Sequence, residues 1–424
     1  MKTKAVRLYG KNDLRLEEFE LPSIKEDEIL VKIVSDSICM SSWKATIQGE
    51  EHKRIPKNIN KNPIIIGHEF CGEIIEVGNK WKDKFKPKSK FVIQPAINSE
   101  KGPVGILSAP GYSYTYCGGA ATYAILPAEI MEKNCLIEFS GDSFFKGSLA
   151  EPLSCIIGAF HSSYHSKIGE HKHKMGIVER GNMAILAGAG PMGIGAVDYT
   201  IHGPVKPSLL VVTDIDENRL KRSAKINTEE EAKKFGIKLI YLNTNKISSV
   251  EDYLMSLTEG KGYDDIFIFA PVESLIKQAD AILGFDGCIN FFAGPSNPDF
   301  KAEINFYKAH YLSTHIAATS GGNIEDLYEA LELTSKNLIN PASMISHIGG
   351  LDAVIDTTLN LPKIPGAKKL IYTGISLKLT SLEEIPELAK KDKFFAGLSE
   401  ILSSTNGLWS KEAEDYLLNY GTKI

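Results

Sequence analysis

The run MAILAGAGPMG at residues 183–193 sets a G-x-G-x-x-G turn directly behind a short apolar segment, the arrangement that opens a dinucleotide-binding βαβ unit. Each glycine has its own task. Gly188 permits the tight turn, Gly190 lets a pyrophosphate approach the main chain, and Gly193 lets the next helix pack close to the strand. Pro191 and Met192 fall at the start of that helix, where a missing proline N–H costs little. A pyrophosphate would rest on the helix N-terminus, where free N–H groups and the helix dipole favour an anion. Further on, Asp214 ends the apolar segment LLVVTD. A carboxylate there accepts from the ribose hydroxyls of NAD(H) and repels the 2′-phosphate of NADP(H), while Arg219 and Arg222 nearby keep NADP(H) open.

The surrounding pattern extends this unit. Apolar segments at 183–187, 209–213, 238–242, 265–270, 288–293 and 311–318 alternate with helical stretches. This predicts an α/β fold with a six-stranded parallel sheet. The preceding part of the chain differs: β-like runs at 5–8, 28–34, 64–66, 73–77, 90–94 and 121–126 are separated by Gly and Pro, which predicts an irregular, mostly-β unit. A helix is expected at 324–338, a strand at 368–373, and amphipathic helices over the last fifty residues. At 424 residues the chain exceeds one ordinary core, so at least two domains are expected. The boundaries read as 1–158 for a first catalytic part, 159–320 for the nucleotide-binding domain, and 321–424 for a return to the catalytic domain. The Lys- and Asn-rich stretches 44–62 and 79–90 are expected to be exposed.

Composition excludes other classes. A net charge of −5 argues against nucleic acid or an anionic membrane as partner. No apolar run approaches the roughly 20 residues of a membrane-spanning helix. The opening MKTKAVRLYG lacks the apolar core of a signal peptide and reads as a first strand. Six cysteines without close spacings suggest reduced thiols and a cytoplasmic location.

A second constellation lies in GHEFCG at 67–72, where His68 and Glu69 are adjacent. Cys39 upstream, two residues before Ser41, and Glu151 in AEPLS add donors suited to zinc. A catalytic zinc takes about three protein ligands and keeps one position open. Taken singly, a cysteine is more simply a small buried hydrophobe, and a histidine a hydrogen-bonded one. Beside a nicotinamide-binding unit, the set reads as a metal site.

These motifs (GHEFCG, Cys39 with Ser41, EPLS, and the GAGPMG turn) together resemble the zinc-containing medium-chain dehydrogenase/reductase family, in its sorbitol dehydrogenase-like branch. The stretches RLYGKNDLRLE, SSWK, PIIIGHEFCGEI, EPLSCIIGAF, GCINFFAGP and INFYKAHY extend the resemblance to the L-sorbose-1-phosphate reductases, over nearly the whole chain. The resemblance implies a GroES-like catalytic domain joined to a Rossmann domain. It implies one catalytic zinc held by Cys39, His68 and a glutamate, with Glu69 and Glu151 competing or alternating. Ser41 would relay the proton, and Thr319 and Ser320 would lie near the nicotinamide. A structural zinc is not expected, since only Cys117 falls between residues 94 and 120. The implied reaction is zinc-dependent hydride transfer between NAD(H) and a polyol/ketose phosphate, such as L-sorbose 1-phosphate reduced to D-glucitol 6-phosphate. An unphosphorylated polyol dehydrogenase is the alternative enzyme, and a cofactor-binding structural or sensor protein the non-enzyme alternative. The family implies a homo-oligomer, a dimer or a tetramer.

Other features are weaker. His161 and His165 lie four apart on an expected helix without a third ligand, and read as packing or surface residues. Lys44, Lys308 and His310 are candidate phosphate contacts, and Trp409 reads as packing.

Overall fold

Strand Leu209–Asp214 is buried at every position, as a parallel strand covered on both faces must be. It pairs with Asn182–Leu186 on one side and Lys238–Asn243 on the other, both in parallel. The sheet continues through Tyr263–Ile268 and Leu283–Phe291 to His315–Ala317. This strand order, third-second-first-fourth-fifth-sixth, is that of a doubly wound dinucleotide-binding sheet. The structure, a computed structural model, describes residues 1–167 and 169–424. They divide into two units, Pro152–Asn340, and Met1–Glu151 with Pro341–Ile424.

Two expectations for the first of these units are corrected. The sixth strand is only His315–Ala317, because Phe306–Tyr311 forms a helix whose N-cap Asn305 accepts from the N–H groups of Tyr307 and Lys308. Of the stretch 311–318 expected as strand, Tyr311 ends that helix and only His315–Ala317 pairs with the sheet. The unit also extends to Asn340 rather than ending at 320. Helix Ile324–Ser335, started by a reciprocal Asn323–Asp326 capping box, is stapled to the rest of the unit. His161 reaches Asp326 at 2.7 Å and Glu329 at 3.2 Å, and the Tyr199 hydroxyl donates to Glu329 at 2.6 Å. His161 is thereby a packing residue. His165, held by the Asp286 carbonyl and Asp265, is another.

The second unit is mostly β. Strand Ile29–Ile38 runs at its centre, paired with Phe70–Val77, Tyr123–Leu126 and Lys368–Tyr372. Lys90–Ile93 and Leu136–Glu138 extend the sheet on one side, Ile345–Gly350 and Thr380–Ser381 on the other. Lys2–Gly10 forms the first strand, between Asp13–Glu20 and Ile64–Ile65. The 44–62 stretch is not wholly exposed as expected: Ile55 and Ile59 are buried in the same cluster as Val6, Leu8 and Ile64.

Helices Ile385–Leu388, Lys393–Ser404 and Lys411–Tyr420 close the chain. Trp409 is buried, and its indole N–H donates to the Tyr372 hydroxyl at 2.7 Å. Tyr372 in turn donates to Glu414 at 2.9 Å. The buried Glu414 carboxylate also accepts the N–H groups of Phe144 and Phe145, at 2.6 and 2.8 Å. It thus caps the short helix Phe144–Ser148, immediately ahead of the helix Ala150–Ser162 that carries Glu151. No helix among the described residues is long and apolar enough to cross a membrane.

Candidate active site

The glycine turn is assembled as its sequence demands. Gly188 donates its N–H to the Thr213 carbonyl at 2.8 Å, tying the turn to the neighbouring strand. A Cβ on Gly193 would lie 2.0 Å from the Gly188 carbonyl oxygen, so the close helix–strand approach admits only glycine there. A Cβ on Gly190 would meet nothing within 4 Å; its side of the turn is open, as a pyrophosphate site requires. Gly190 caps the helix Pro191–His202, with Pro191 in its first position and Met192 next.

Asp214 ends its strand beside this turn, but its carboxylate is already engaged. It accepts the N–H groups of Ala189 at 3.2 Å, Ile215 at 2.8 Å and Asp216 at 3.1 Å. Asp214 therefore holds the turn against the end of its strand. Thr319 and Ser320 lie in the loop after His315–Ala317, and the Thr319 hydroxyl is buried without a partner. Lys308 is occupied elsewhere: its ammonium donates to the carbonyls of Asp280 and Ala281, at the end of helix Glu273–Ile282.

In the mostly-β unit, Cys39 stands at the N-cap of helix Met40–Gln48, which puts Ser41 and Ser42 in its first turn. Gly67 (φ +91) precedes His68, and a Cβ there would lie 2.2 Å from an Asp36 carboxylate oxygen. A Cβ on Gly111 (φ +77) would lie 2.1 Å from the Gly67 carbonyl oxygen, so this pair of glycines lets Tyr112 come beside His68. The ligand atoms of Cys39, His68 and Glu69 all fall within 4.8 Å of one another.

The two imidazole nitrogens are differently served. Nε2 lies 3.3 Å from the Ser41 hydroxyl and 3.4 Å from the Tyr112 hydroxyl, and Nδ1 lies 3.3 Å from the Ser42 hydroxyl. The Ser41 hydroxyl also donates to the Cys39 sulfur at 3.0 Å. Glu69 is split: one oxygen pairs with the Lys368 ammonium, while the other is buried with no partner. A thiol, an imidazole and a carboxylate that keeps one oxygen unpartnered, drawn this close together, fit a zinc ion.

Glu151, in the first turn of its helix, stands outside that converging set yet interacts with it. Burial pushes its carboxyl up to about 7, His68 opposing and the charges of Glu69 and Cys39 adding to the rise. Burial likewise raises the Cys39 thiol, with Lys368 pulling it back and Glu69 pushing it further. Strong upward shifts in adjacent buried groups are typical of a reactive site.

Sequence reading missed Ser42, Tyr112 and Lys368. Ser42 had a usable signal in its place beside Ser41. Tyr112 and Lys368 are brought in from strands and turns remote in sequence.

Comparison with known proteins agrees with this architecture. Residues 25–134 match the alcohol dehydrogenase GroES-like domain, and residues 209–336 match the zinc-binding dehydrogenase family. The chain is 49% identical to a mannitol-1-phosphate 5-dehydrogenase of Aliivibrio fischeri, over 99% of this chain and 98% of that one. It is 47% identical to an L-sorbose 1-phosphate reductase of Klebsiella pneumoniae, over 100% and 98%. Among solved structures, a 2R,3R-butanediol dehydrogenase from Bacillus subtilis aligns with a TM-score of 0.71 at 20% identity, covering 88% of this chain and 99% of that one.

Proposed function

This chain belongs to the zinc-dependent medium-chain dehydrogenase/reductase family, and from that premise we propose that it interconverts a six-carbon ketose phosphate and the matching polyol phosphate with NAD(H). It is an oxidoreductase of the alcohol dehydrogenase type. The preferred pair is L-sorbose 1-phosphate and D-glucitol 6-phosphate. The observation that carries the chemistry is the convergence of Cys39, His68 and Glu69, with the Ser41 hydroxyl on the Cys39 sulfur. The phosphorylated substrate is supported by the names of both relatives near half identity. The first of these also favours a second reading, the mannitol 1-phosphate pair.

In this reading Cys39, His68 and Glu69 hold one zinc, with Glu151 as a nearby carboxylate partner. Bound zinc supplies Lewis acidity toward the substrate oxygen, and the dinucleotide supplies or accepts the hydride. The chain's own residues do the rest. Ser41 passes the proton to and from the substrate oxygen, Ser42 fixes the His68 ring through Nδ1, and Lys368 balances the charge of Glu69. Gly188, Gly190 and Gly193 with the Pro191 helix take the pyrophosphate. Asp214 favours NAD(H), and Thr319 and Ser320 border the nicotinamide.

The test is a panel of ketohexoses and their phosphates, assayed with NADH and NADPH on protein of measured zinc content. Turnover fastest with a ketohexose phosphate and NADH is expected. Equal efficiency with L-sorbose and its 1-phosphate would leave the unphosphorylated polyol dehydrogenase. Zinc-loaded protein without turnover on any substrate would leave a binding or sensor protein.

A further inference from the structure

We propose that His52 and Arg54, packed against the ring of Tyr112, form the subsite for the phosphate of the substrate; this rests on the sugar-phosphate reading above. Tyr112 is the link. Its ring lies 4.9 Å from that of His68, and its hydroxyl reaches His68 Nε2. The His52 ring stacks on Tyr112 at 5.7 Å with an interplanar angle of 11°, and the Arg54 guanidinium carbon lies 5.8 Å from the same ring centre. Two basic side chains therefore stand one aromatic ring away from a metal-binding imidazole.

Their placement is built into the fold. Gly49 (φ +54) ends the Cys39 helix and starts a short 3-10 turn, where the His52 N–H donates to the Gly49 carbonyl. The Arg54 N–H then donates to His52 Nδ1 at 3.3 Å. The Arg54 carbonyl accepts from Ser113, next to Tyr112, at 2.7 Å. Ile55 follows, buried in the core.

The two carboxylates that precede His52 are turned to other partners, Glu51 to Lys11 and Glu50 to the Ile59 N–H. After burial, the influences that hold the His52 imidazole down to about 4 are Arg54, Lys53 and Lys44, with no carboxylate opposing them. Arg54 forms no ion pair among the described residues; its guanidinium reaches only the Leu107 carbonyl, at 3.4 Å. A half-buried guanidinium without a carboxylate partner is ready to take an anion. A phosphate monoester supplies up to two charges, matches the planar fork of an arginine, and would let His52 take up a proton on binding. Lys308 is the poorer candidate, because its ammonium already caps a helix.

The experiment uses the zinc-loaded enzyme with NADH and compares kcat/KM for a ketohexose phosphate and the free ketohexose. Wild type should prefer the phosphate, and Arg54→Met and His52→Gln should each reduce that ratio by about 30-fold, the scale of one or two charge-assisted hydrogen bonds. Arg54→Lys should retain part of it. In a parallel NMR titration, the His52 signal, assigned by its loss in His52→Gln, should move to higher pKa with inorganic phosphate in wild type and stay put in Arg54→Met. A wild type indifferent to the phosphate overturns the substrate reading. A wild type that prefers the phosphate, with both variants keeping that preference and His52 blind to phosphate, overturns the subsite alone.

Discussion

Glu69 and Lys368 lie 299 positions apart in the chain and form an ion pair in the interior, with side chains 1% and 5% exposed. Against the pull of burial, Glu69, Cys39 and Glu151 raise the affinity of Lys368 for its proton. Removing one member of such a pair leaves a buried charge unmatched, at about 3–5 kcal/mol. Lys368→Met should lower Tm by roughly 10 °C on the scale of a unit this size. The double variant Lys368→Met with Glu69→Gln should recover part of the loss. A single variant as stable as wild type would show that the pair does not carry the fold.

The residues proposed for the metal and those proposed for the dinucleotide belong to different units. Cys39→Ala or His68→Ala should abolish zinc retention and turnover, while the NADH dissociation constant changes by less than about threefold, under 1 kcal/mol. Elemental analysis should give one zinc per wild-type chain, and two tightly held zincs would contradict the assignment.

Besides the ribose contact proposed for it, the Asp214 carboxylate receives three main-chain N–H groups, one of them, Ala189, from the glycine turn. Asp214→Ala should weaken NADH about tenfold, the worth of one or two such hydrogen bonds, and narrow the preference over NADPH. Gly193→Ala, whose Cβ would fall 2.0 Å from a carbonyl oxygen, should lose NADH binding almost entirely. A wild type that prefers NADPH would move attention to Arg219 and Arg222.

His161, between Asp326 and Glu329, has its pKa raised to about 9, chiefly by the Asp326 hydrogen bond. A histidine raised in the folded state stabilises fully below its unfolded pKa, near 6.5, and that gain is lost as pH climbs through 9. The side chain is 46% exposed, so screening limits the gain to about 1 kcal/mol. Tm should fall between those pH values, and His161→Gln should flatten the profile. An identical slope in the variant would show that another group is responsible.

Phe306, Tyr307 and Tyr311 are 76, 66 and 61% exposed on the short helix that precedes the last strand of the sheet. Apolar exposure beside a sheet edge is the mark of a covered face. Light scattering should find a homo-oligomer, and Phe306→Glu with Tyr311→Glu should dissociate it. A monomeric wild type would refute this.

Much of this was legible in the residues. The G-x-G-x-x-G turn and five of the six parallel strands announce themselves because each is a continuous apolar segment with local punctuation. Cys39, His68 and Glu69 sit in short motifs whose residue types already imply a metal. The sixth strand, expected over 311–318, forms only at His315–Ala317, because the helix that Asn305 caps runs through Tyr311. Lys368 and Tyr112 stayed hidden because nothing near them in sequence says what they meet. Lys368 reads as one more surface lysine until strand Lys368–Tyr372 pairs with Ile29–Ile38.

The hydrogen bonds around Glu414 also set an order in which the chain can be finished. Phe144 and Phe145 wait for an acceptor that translation reaches 270 and 269 residues later, once the whole Pro152–Asn340 unit has been made. At ordinary rates of synthesis that is a delay of roughly 15–50 s. The dinucleotide unit, continuous in sequence, has all its strands available throughout the later part of that wait. A growing chain would therefore have its dinucleotide-binding fold complete before the segment leading into Glu151 is fixed.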